Sequence, residues 1–181
     1  HAQAHRVTCE PPSSEDAPVY EKEVGKYPNT KRMFIPTLCM HCEDAPCLRA
    51  CPTKAISKRM DGIVLVDQTK CCGTRACVAA CPYGAMNYVH EVQGAFGGEL
   101  IQVEQKSVKA TPGTVQKCTF CVHRIDAGRY EPACVEACPT KARLFGDLED
   151  PGSEISRVIR DRNGSPARPE AGTGPSVYYL R

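Results

Sequence analysis

The chain is 181 residues long, with 23 Lys and Arg against 21 Asp and Glu and a formal charge of +2. That length makes one domain or two small ones. The mixed charge lacks the basic footprint of a nucleic-acid binder, and no apolar run approaches the roughly 20 residues needed to cross a bilayer. Thirteen cysteines, no Trp and four Phe leave little bulk for a conventional core, so the fold needs metals or disulfides to hold it.

Residues 1–36 are polar and Pro-rich, without helical or strand period, and read as an extended wrap. The chain starts at His1 with no signal-peptide apolar region, which reads as a processed product or part of a longer one. Cysteine group one is Cys39-Met-His-Cys42-Glu-Asp-Ala-Pro-Cys47-Leu-Arg-Ala-Cys51. A short strand over 63–66 follows the turn Asp61-Gly62. Group two runs from Cys71 to Cys81. Residues 86–104 read as a hairpin insertion, with strands at 86–92 and 100–104 around Gly94, Gly97 and Gly98. Group three is Cys118-Thr-Phe-Cys121, then twelve residues, then Cys134-Val-Glu-Ala-Cys138. Asp150-Pro151 opens a helix with Ile155, Val158 and Ile159 on one face, and Gly164 stops it. The tail from Ser165 is rich in Pro and Gly and ends in the strand-like Val177-Tyr-Tyr-Leu180.

Each group closes on the same element. Cys47-Leu-Arg-Ala-Cys51-Pro52, Cys77-Val-Ala-Ala-Cys81-Pro82 and Cys134-Val-Glu-Ala-Cys138-Pro139 are copies of C-x3-C-P. This is the back half of the bacterial ferredoxin run C-x2-C-x2-C-x3-C-P. A disulfide framework has no need of the Pro, and the cysteine count is odd. A zinc ribbon pairs two C-x2-C knuckles and does not use C-x3-C-P. Iron–sulfur clusters remain. The Pro has a mechanical role, because it cannot continue the helical turn before it. The last cysteine of each copy is thereby aimed away from its predecessors, and in two-cluster ferredoxins that cysteine ligates the other cluster.

Group two departs from the run: where a cysteine belongs, position 74 is Thr. A Thr hydroxyl is a hard, poorly ionised iron ligand. Either Cys72 bends in to complete a four-iron cluster, or the site lacks one iron and holds [3Fe–4S]. Adjacent Cys71 and Cys72 project in different directions, which favours three irons with an open corner at Thr74 and Cys72 packed as a small hydrophobe.

From Tyr27 to Arg181 the chain resembles the iron–sulfur subunits of molybdopterin oxidoreductase (dimethyl sulfoxide reductase-type) complexes. The matching segments are Leu38-Cys-Met-His-Cys-Glu-Asp-Ala-Pro-Cys47, Cys81-Pro-Tyr-Gly-Ala85, Lys117-Cys-Thr-Phe-Cys-Val-His-Arg124, Pro132-Ala-Cys-Val-Glu-Ala-Cys-Pro-Thr-Lys-Ala-Arg143 and Pro175-Ser-Val-Tyr-Tyr-Leu180. The run Cys71-Cys-Gly-Thr-Arg-Ala-Cys77 is most similar to the iron–sulfur subunits of alternative complex III and related quinone reductases, where a Thr here accompanies a three-iron cluster. The resemblance implies an α+β fold of tandem ferredoxin-like modules related by a pseudo-twofold axis. On it the chain divides into a wrap (1–36), a module with two crossed motifs (37–90), a hairpin insertion (91–116), the third motif (117–148), and a helix with an irregular partner-binding tail (149–181).

The resemblance also implies the ligand sets. Cys39, Cys42, Cys47 and Cys81 share a [4Fe–4S] cluster. Cys51, Cys71 and Cys77 hold the [3Fe–4S] cluster. Cys118, Cys121 and Cys134 hold a further [4Fe–4S] cluster that lacks its fourth ligand. The family pattern has four groups, so the missing one would precede His1, and Cys138 would serve a cluster shared with it. The alternative is that Cys9 or His5 fills the gap.

The implied function is a relay of single electrons between a catalytic subunit, of molybdopterin type, and a membrane quinone-binding subunit or cytochrome. The complex would be peripheral to the membrane, on its periplasmic or outer face, with no chemistry in this chain. Rival classes fit less well. Radical SAM enzymes use C-x3-C-x2-C, which is absent. A hydratase would need a substrate pocket at the open iron by Thr74. Free ferredoxin shuttles are shorter and more acidic. His41 and His123 read as donors of a hydrogen bond to backbone. Lys54, Lys117 and Arg124 offset cluster charge or are solvated. Tyr178 and Tyr179 read as packing at an interface.

Overall fold

The computed structural model describes residues 6–8, 21–34, 36–91 and 110–180. His5, Cys9, most of the hairpin insertion and its second strand at 100–104 lie outside them. Among the described residues the elements are short, and four small sheets stand in place of one large one. β1 (Arg6–Thr8) pairs parallel with β9 (Tyr178–Leu180), which pairs antiparallel with β8 (Ser165–Pro166). β2 (Glu21–Val24) and β3 (Lys31–Phe34) form a hairpin. Neither is legible in the sequence, because Glu-Lys-Glu-Val and Lys-Arg-Met-Phe show no alternation of apolar and polar residues.

The strand expected after Asp61-Gly62 is β5 (Val64–Val66), antiparallel to β4 (Ile56–Lys58). The Asp61 carboxylate accepts from the Ile63 N–H at 3.2 Å and so pins the turn. Within the strand expected at 86–92 lies the two-residue β6 (Asn87–Tyr88), which pairs antiparallel with β7 (Val115–Gln116).

Two helical turns carry the first two C-x3-C-P copies. α1 (Pro46–Ala50) starts on Pro46, whose missing N–H costs nothing at a first helical position. α2 (Ala76–Ala80) starts behind Arg75 in the left-handed region. Both stop one residue before the cysteine that precedes the Pro is passed. Cys51 sits at φ −81°, ψ 110° and Cys81 at φ −81°, ψ 112°, the extended conformation that a following Pro imposes. α1 and α2 pack on each other. α3 (Val122–Asp126) and α4 (Ala133–Glu136) flank the third group.

α5 (Glu154–Asp161) is capped by the Ser153 hydroxyl, which accepts from the Ser156 N–H. Asp150 instead holds the preceding turn through the Gly152 N–H. The helix ends in a Schellman motif: Gly164 N–H reaches Ile159 C=O at 2.7 Å, and Asn163, at φ 48°, takes the left-handed position. Gly164 is needed for space, since a Cβ there would lie 2.8 Å from Leu180.

The core lies between the cysteine loops, with Met40, Ile63, Val64, Val115 and Phe120 each at 1% exposure. Val177, Tyr179 and Leu180 belong to it, at no more than 1%. Tyr179, expected at an interface, is buried within its own chain and donates its hydroxyl to Pro36 C=O at 3.2 Å. No helix among the described residues is long and apolar enough to cross a membrane.

Candidate metal centres

The three C-x3-C-P copies fold alike. In each, the last cysteine's N–H bonds the carbonyl three residues back: Leu48, Val78 and Val135. Its own C=O accepts from the N–H three residues on: Lys54, Gly84 and Lys141. Those three residues all have positive φ, at 52°, 61° and 49°. The turn directs N–H groups at the sulfur. Ala55 N–H lies 3.2 Å from Cys51 Sγ, and the Thr53 hydroxyl lies at 3.7 Å. Burial pushes the Cys51 thiol up, but these donors and the Ile56 and Thr53 N–H groups outweigh it and leave it below the ordinary thiol value. In the third copy the Thr140 hydroxyl, 3.5 Å from Cys138 Sγ, leads the N–H groups of Ala142, Thr140 and Arg143 in lowering that thiol.

A pocket of about 350 Å³ brings together Cys39, Cys42, Cys47 and Cys81, with Tyr83, Met86 and Val64 in its walls. Burial pushes the Cys47 thiol up to about 12, and the facing Cys39, Cys81 and Cys42 sulfurs add to the rise while Lys117 opposes it. Cys42 is raised chiefly by burial, against a hydrogen bond from Thr173.

A second pocket, of about 300 Å³, brings together Cys51, Cys71 and Cys77, with Thr74 and Cys72 also in its wall. Burial raises the Cys77 thiol, with Cys51 and Cys71 next in effect. Each pocket thus takes one thiol from the other motif. Cys72 differs from expectation: it is exposed rather than packed, and its Sγ lies 4.0 Å from Thr74 Oγ1. Arg75 completes this rim, its guanidinium 3.9 Å above the Tyr88 ring.

Gly73 shapes that rim. It sits at φ +70°, and a Cβ would collide with the Gly113 carbonyl oxygen. Gly73→Ala is expected to cost about 1–3 kcal/mol, read as a lower Tm, with weakened iron retention in the loop that carries Cys71 and Thr74.

The third group is more open. The Cys118 thiol is raised chiefly by burial, with the charges of Cys39 and Cys134 adding to the rise against the Phe120 N–H and Lys117. Cys121 caps α3 in the left-handed region, and Cys134 is exposed. Cys138 has its own turn for partners. Lys117, half-buried, donates to Val64 C=O and to Cys118 C=O (3.1 Å). Its charge lowers both Cys47 and Cys118. Arg124 pairs with Glu136, and His123 is exposed. His41 is buried and stacked on Phe120 at 3.7 Å. Its Nδ1 accepts from the Val64 N–H at 3.0 Å, the reverse of the expected donation, which leaves Nε2 protonated.

The donor set fits iron–sulfur clusters. The cysteines from Cys39 to Cys138 are free thiols. No three His, Cys, Asp or Glu among the described residues converge closely enough to hold a single ion, as zinc requires. Four thiols spaced around a pocket suit a [4Fe–4S] core.

Crossed thiol pockets of this kind define an iron–sulfur protein of the ferredoxin class. A sequence profile described as a 4Fe-4S dicluster domain matches residues 30–97 and 102–148. The chain is 38% identical over 185 residues to the arsenate respiratory reductase iron–sulfur subunit of Shewanella sp. (strain ANA-3), covering 87% of this chain and 79% of that one. It is 44% identical over 163 residues to the Hdr-like menaquinol oxidoreductase iron–sulfur subunit 1 of Archaeoglobus fulgidus, covering 84% and 59%. It is 41% identical over 150 residues to a tetrathionate reductase subunit of Salmonella typhimurium, covering 82% and 52%. The chain belongs to the 4Fe-4S dicluster domain family, together with the iron–sulfur subunits of such oxidoreductases. It spans only about half to four-fifths of the length of these relatives.

Proposed function

We propose that this chain relays single electrons within an oxidoreductase complex, between a catalytic subunit of molybdopterin type and a membrane quinone-binding subunit or cytochrome. The observation that carries the reading is the crossing of Cys81 and Cys51 between the two pockets, which ties two clusters into one small fold. Cys39, Cys42, Cys47 and Cys81 would hold a [4Fe–4S] cluster; Cys51, Cys71 and Cys77 a [3Fe–4S] cluster; Cys118, Cys121 and Cys134 a further [4Fe–4S] cluster. Cys138 would serve a cluster completed from outside the described residues. Bound there, the clusters supply one-electron uptake and release.

The chain's own residues do the rest. The matched backbone of the C-x3-C-P turns supports two modules related by a pseudo-twofold axis. The packing of α1 on α2 supports placing the Cys39 and Cys77 pockets side by side. Lys117 stabilises added negative charge on the two sites it adjoins. Burial, hydrogen bonds to sulfur and cluster type set potentials across the range of roughly −700 to +450 mV open to such centres. Relatives named as arsenate respiratory reductase, tetrathionate reductase and menaquinol oxidoreductase subunits support a place in a respiratory complex, and the proposal puts that complex peripheral to the membrane, on its periplasmic or outer face.

A second reading concerns one site. Because Cys72 lines the pocket of Cys51, Cys71 and Cys77, it is a reserve fourth ligand for a four-iron cluster there. Cys72→Ser separates the two readings: iron content and spectra stay unchanged in the three-iron reading and change in the other. The overall proposal predicts that the protein isolated without oxygen contains iron and acid-labile sulfide, takes up electrons from dithionite and returns them to a quinone analogue. Stoichiometric zinc, or iron-free protein of native fold, would overturn it.

A further inference from the structure

The three C-x3-C-P turns share one backbone but differ at the second residue after the last cysteine, which is Thr53, Tyr83 and Thr140 in turn. In the first turn the Thr53 hydroxyl lies 3.7 Å from Cys51 Sγ, and the Ala55 N–H lies 3.2 Å from the same atom. Thr53 and Ala55 both line the pocket that gathers Cys51, Cys71 and Cys77. In the third turn the Thr140 hydroxyl lies 3.5 Å from Cys138 Sγ, so the contact recurs where the residue recurs. In the second turn the Tyr83 phenol oxygen lies instead 2.7 Å from Thr173 Oγ1 in the tail. The longer side chain carries its hydroxyl past its own turn.

The turn itself places Thr53. Lys54 stands in the left-handed region at φ 52° and donates its N–H back to Cys51 C=O at 3.3 Å, which folds Thr53 toward the sulfur. The direction of the bond follows from proton counting. A Thr hydroxyl has one proton to give. A thiolate bound to iron has none, so Thr53 donates and Cys51 accepts. Hydrogen bonds to an ionised acceptor are roughly twice as strong as those between neutral groups.

We propose that the Thr53 hydroxyl, by donating to Cys51 Sγ, raises the reduction potential of the cluster in the Cys77 pocket. This rests on the reading that Cys51 crosses over to join Cys71 and Cys77 on that cluster. Reduction adds negative charge that is shared with the sulfurs. A hydroxyl aimed at one of them therefore stabilises the reduced form more than the oxidised form. Thr53 touches sulfur and not iron, so it sets a potential without holding the cluster. Because Tyr83 turns its hydroxyl to the tail, the bias is one-sided, and an electron is drawn toward the Cys77 pocket.

The test is an EPR-monitored redox titration of the intact protein, carrying its clusters, with iron quantified in each variant. The cluster of the Cys77 pocket is identified as the one whose signal Cys77→Ala removes. Thr53→Val, which puts a methyl in place of the hydroxyl, is expected to keep full iron and to shift that midpoint downward. Thr53→Ser should restore it, and the other midpoints should stay. A Thr53→Val protein with full iron and an unmoved midpoint overturns the proposal, as does a downward shift in Thr53→Val that Thr53→Ser also shows. If Thr53→Val loses iron, Thr53→Ala decides, and an unmoved midpoint there overturns it equally. The ligand reading has its own control, since Cys51→Ala should remove the same signal as Cys77→Ala. If it does not, that reading fails and the proposal with it; if it does and Thr53→Val moves nothing, the proposal alone fails.

Discussion

Cys81→Ala is expected to remove the cluster of the Cys39 pocket, and Cys51→Ala the cluster of the Cys77 pocket, although each cysteine belongs by sequence to the other motif. The reason is the break at the Pro. Cys51 and Cys81 are extended while the residues before them are helical, so each sulfur leaves its own group and enters the facing pocket. The effect on stability should be large. Structural metal binding in small metallo-domains is worth on the order of 10 kcal/mol, comparable to the whole stability of a domain, about 5–15 kcal/mol. This chain has little else to substitute: no Trp, four Phe and, among the described residues, only small sheets. Iron content should fall by about one cluster, and thermal unfolding should begin markedly earlier. The measurement is iron analysis with low-temperature EPR of both variants. If Cys81→Ala removes the signal of the cluster at Cys71 and Cys77 instead, the motifs are not crossed.

The exit of Cys51 and Cys81 from their helical turns was legible because it is local. A helical turn, a cysteine and a Pro fix the exit within a few residues, and the same is true of the Asp61-Gly62 turn between β4 and β5. The tail was not legible for the opposite reason. Ser176 meets His41 across 135 positions and Tyr83 meets Thr173 across 90, and a stretch rich in Gly and Pro has no period to announce such partners. Thr173 had no signal at all beyond its place in Gly172-Thr-Gly174. The burial of Tyr179 was missed for the same reason, since its hydroxyl meets Pro36 across 143 positions. The ends of α5 were misplaced, by about three residues at its start and one at its end: Ser153 and Asn163 do what Asp150 and Gly164 were expected to do. Several residue types serve at caps, so composition narrows such positions without fixing them.

Thr74→Cys should convert the proposed three-iron site to four irons and lower its potential. Thr74 lies in the wall of the pocket that holds Cys51, Cys71 and Cys77, at the place the ferredoxin run gives to a cysteine. A thiolate there would add a soft, negatively charged ligand where the hydroxyl is a poor one. Extra negative charge disfavours reduction, so the midpoint falls, and exchange of electrons with a quinone slows. The electron count makes the change visible. Three ferric ions have an odd number of unpaired spins, so an oxidised three-iron cluster is paramagnetic. An oxidised [4Fe–4S] cluster of two ferric and two ferrous ions has an even number, and its spins pair to a silent ground state. The wild-type protein should therefore show an EPR signal as isolated, and Thr74→Cys should lose it while gaining about one iron. Cys72 sharpens the test, because its exposed thiol already stands beside Thr74. In the double variant Cys72→Ser, Thr74→Cys the conversion should proceed unchanged, since the new thiolate rather than Cys72 completes the site. An EPR-silent wild-type protein that becomes paramagnetic in Cys72→Ser would instead make Cys72 the fourth ligand, with Thr74 a neighbour that hydrogen-bonds it.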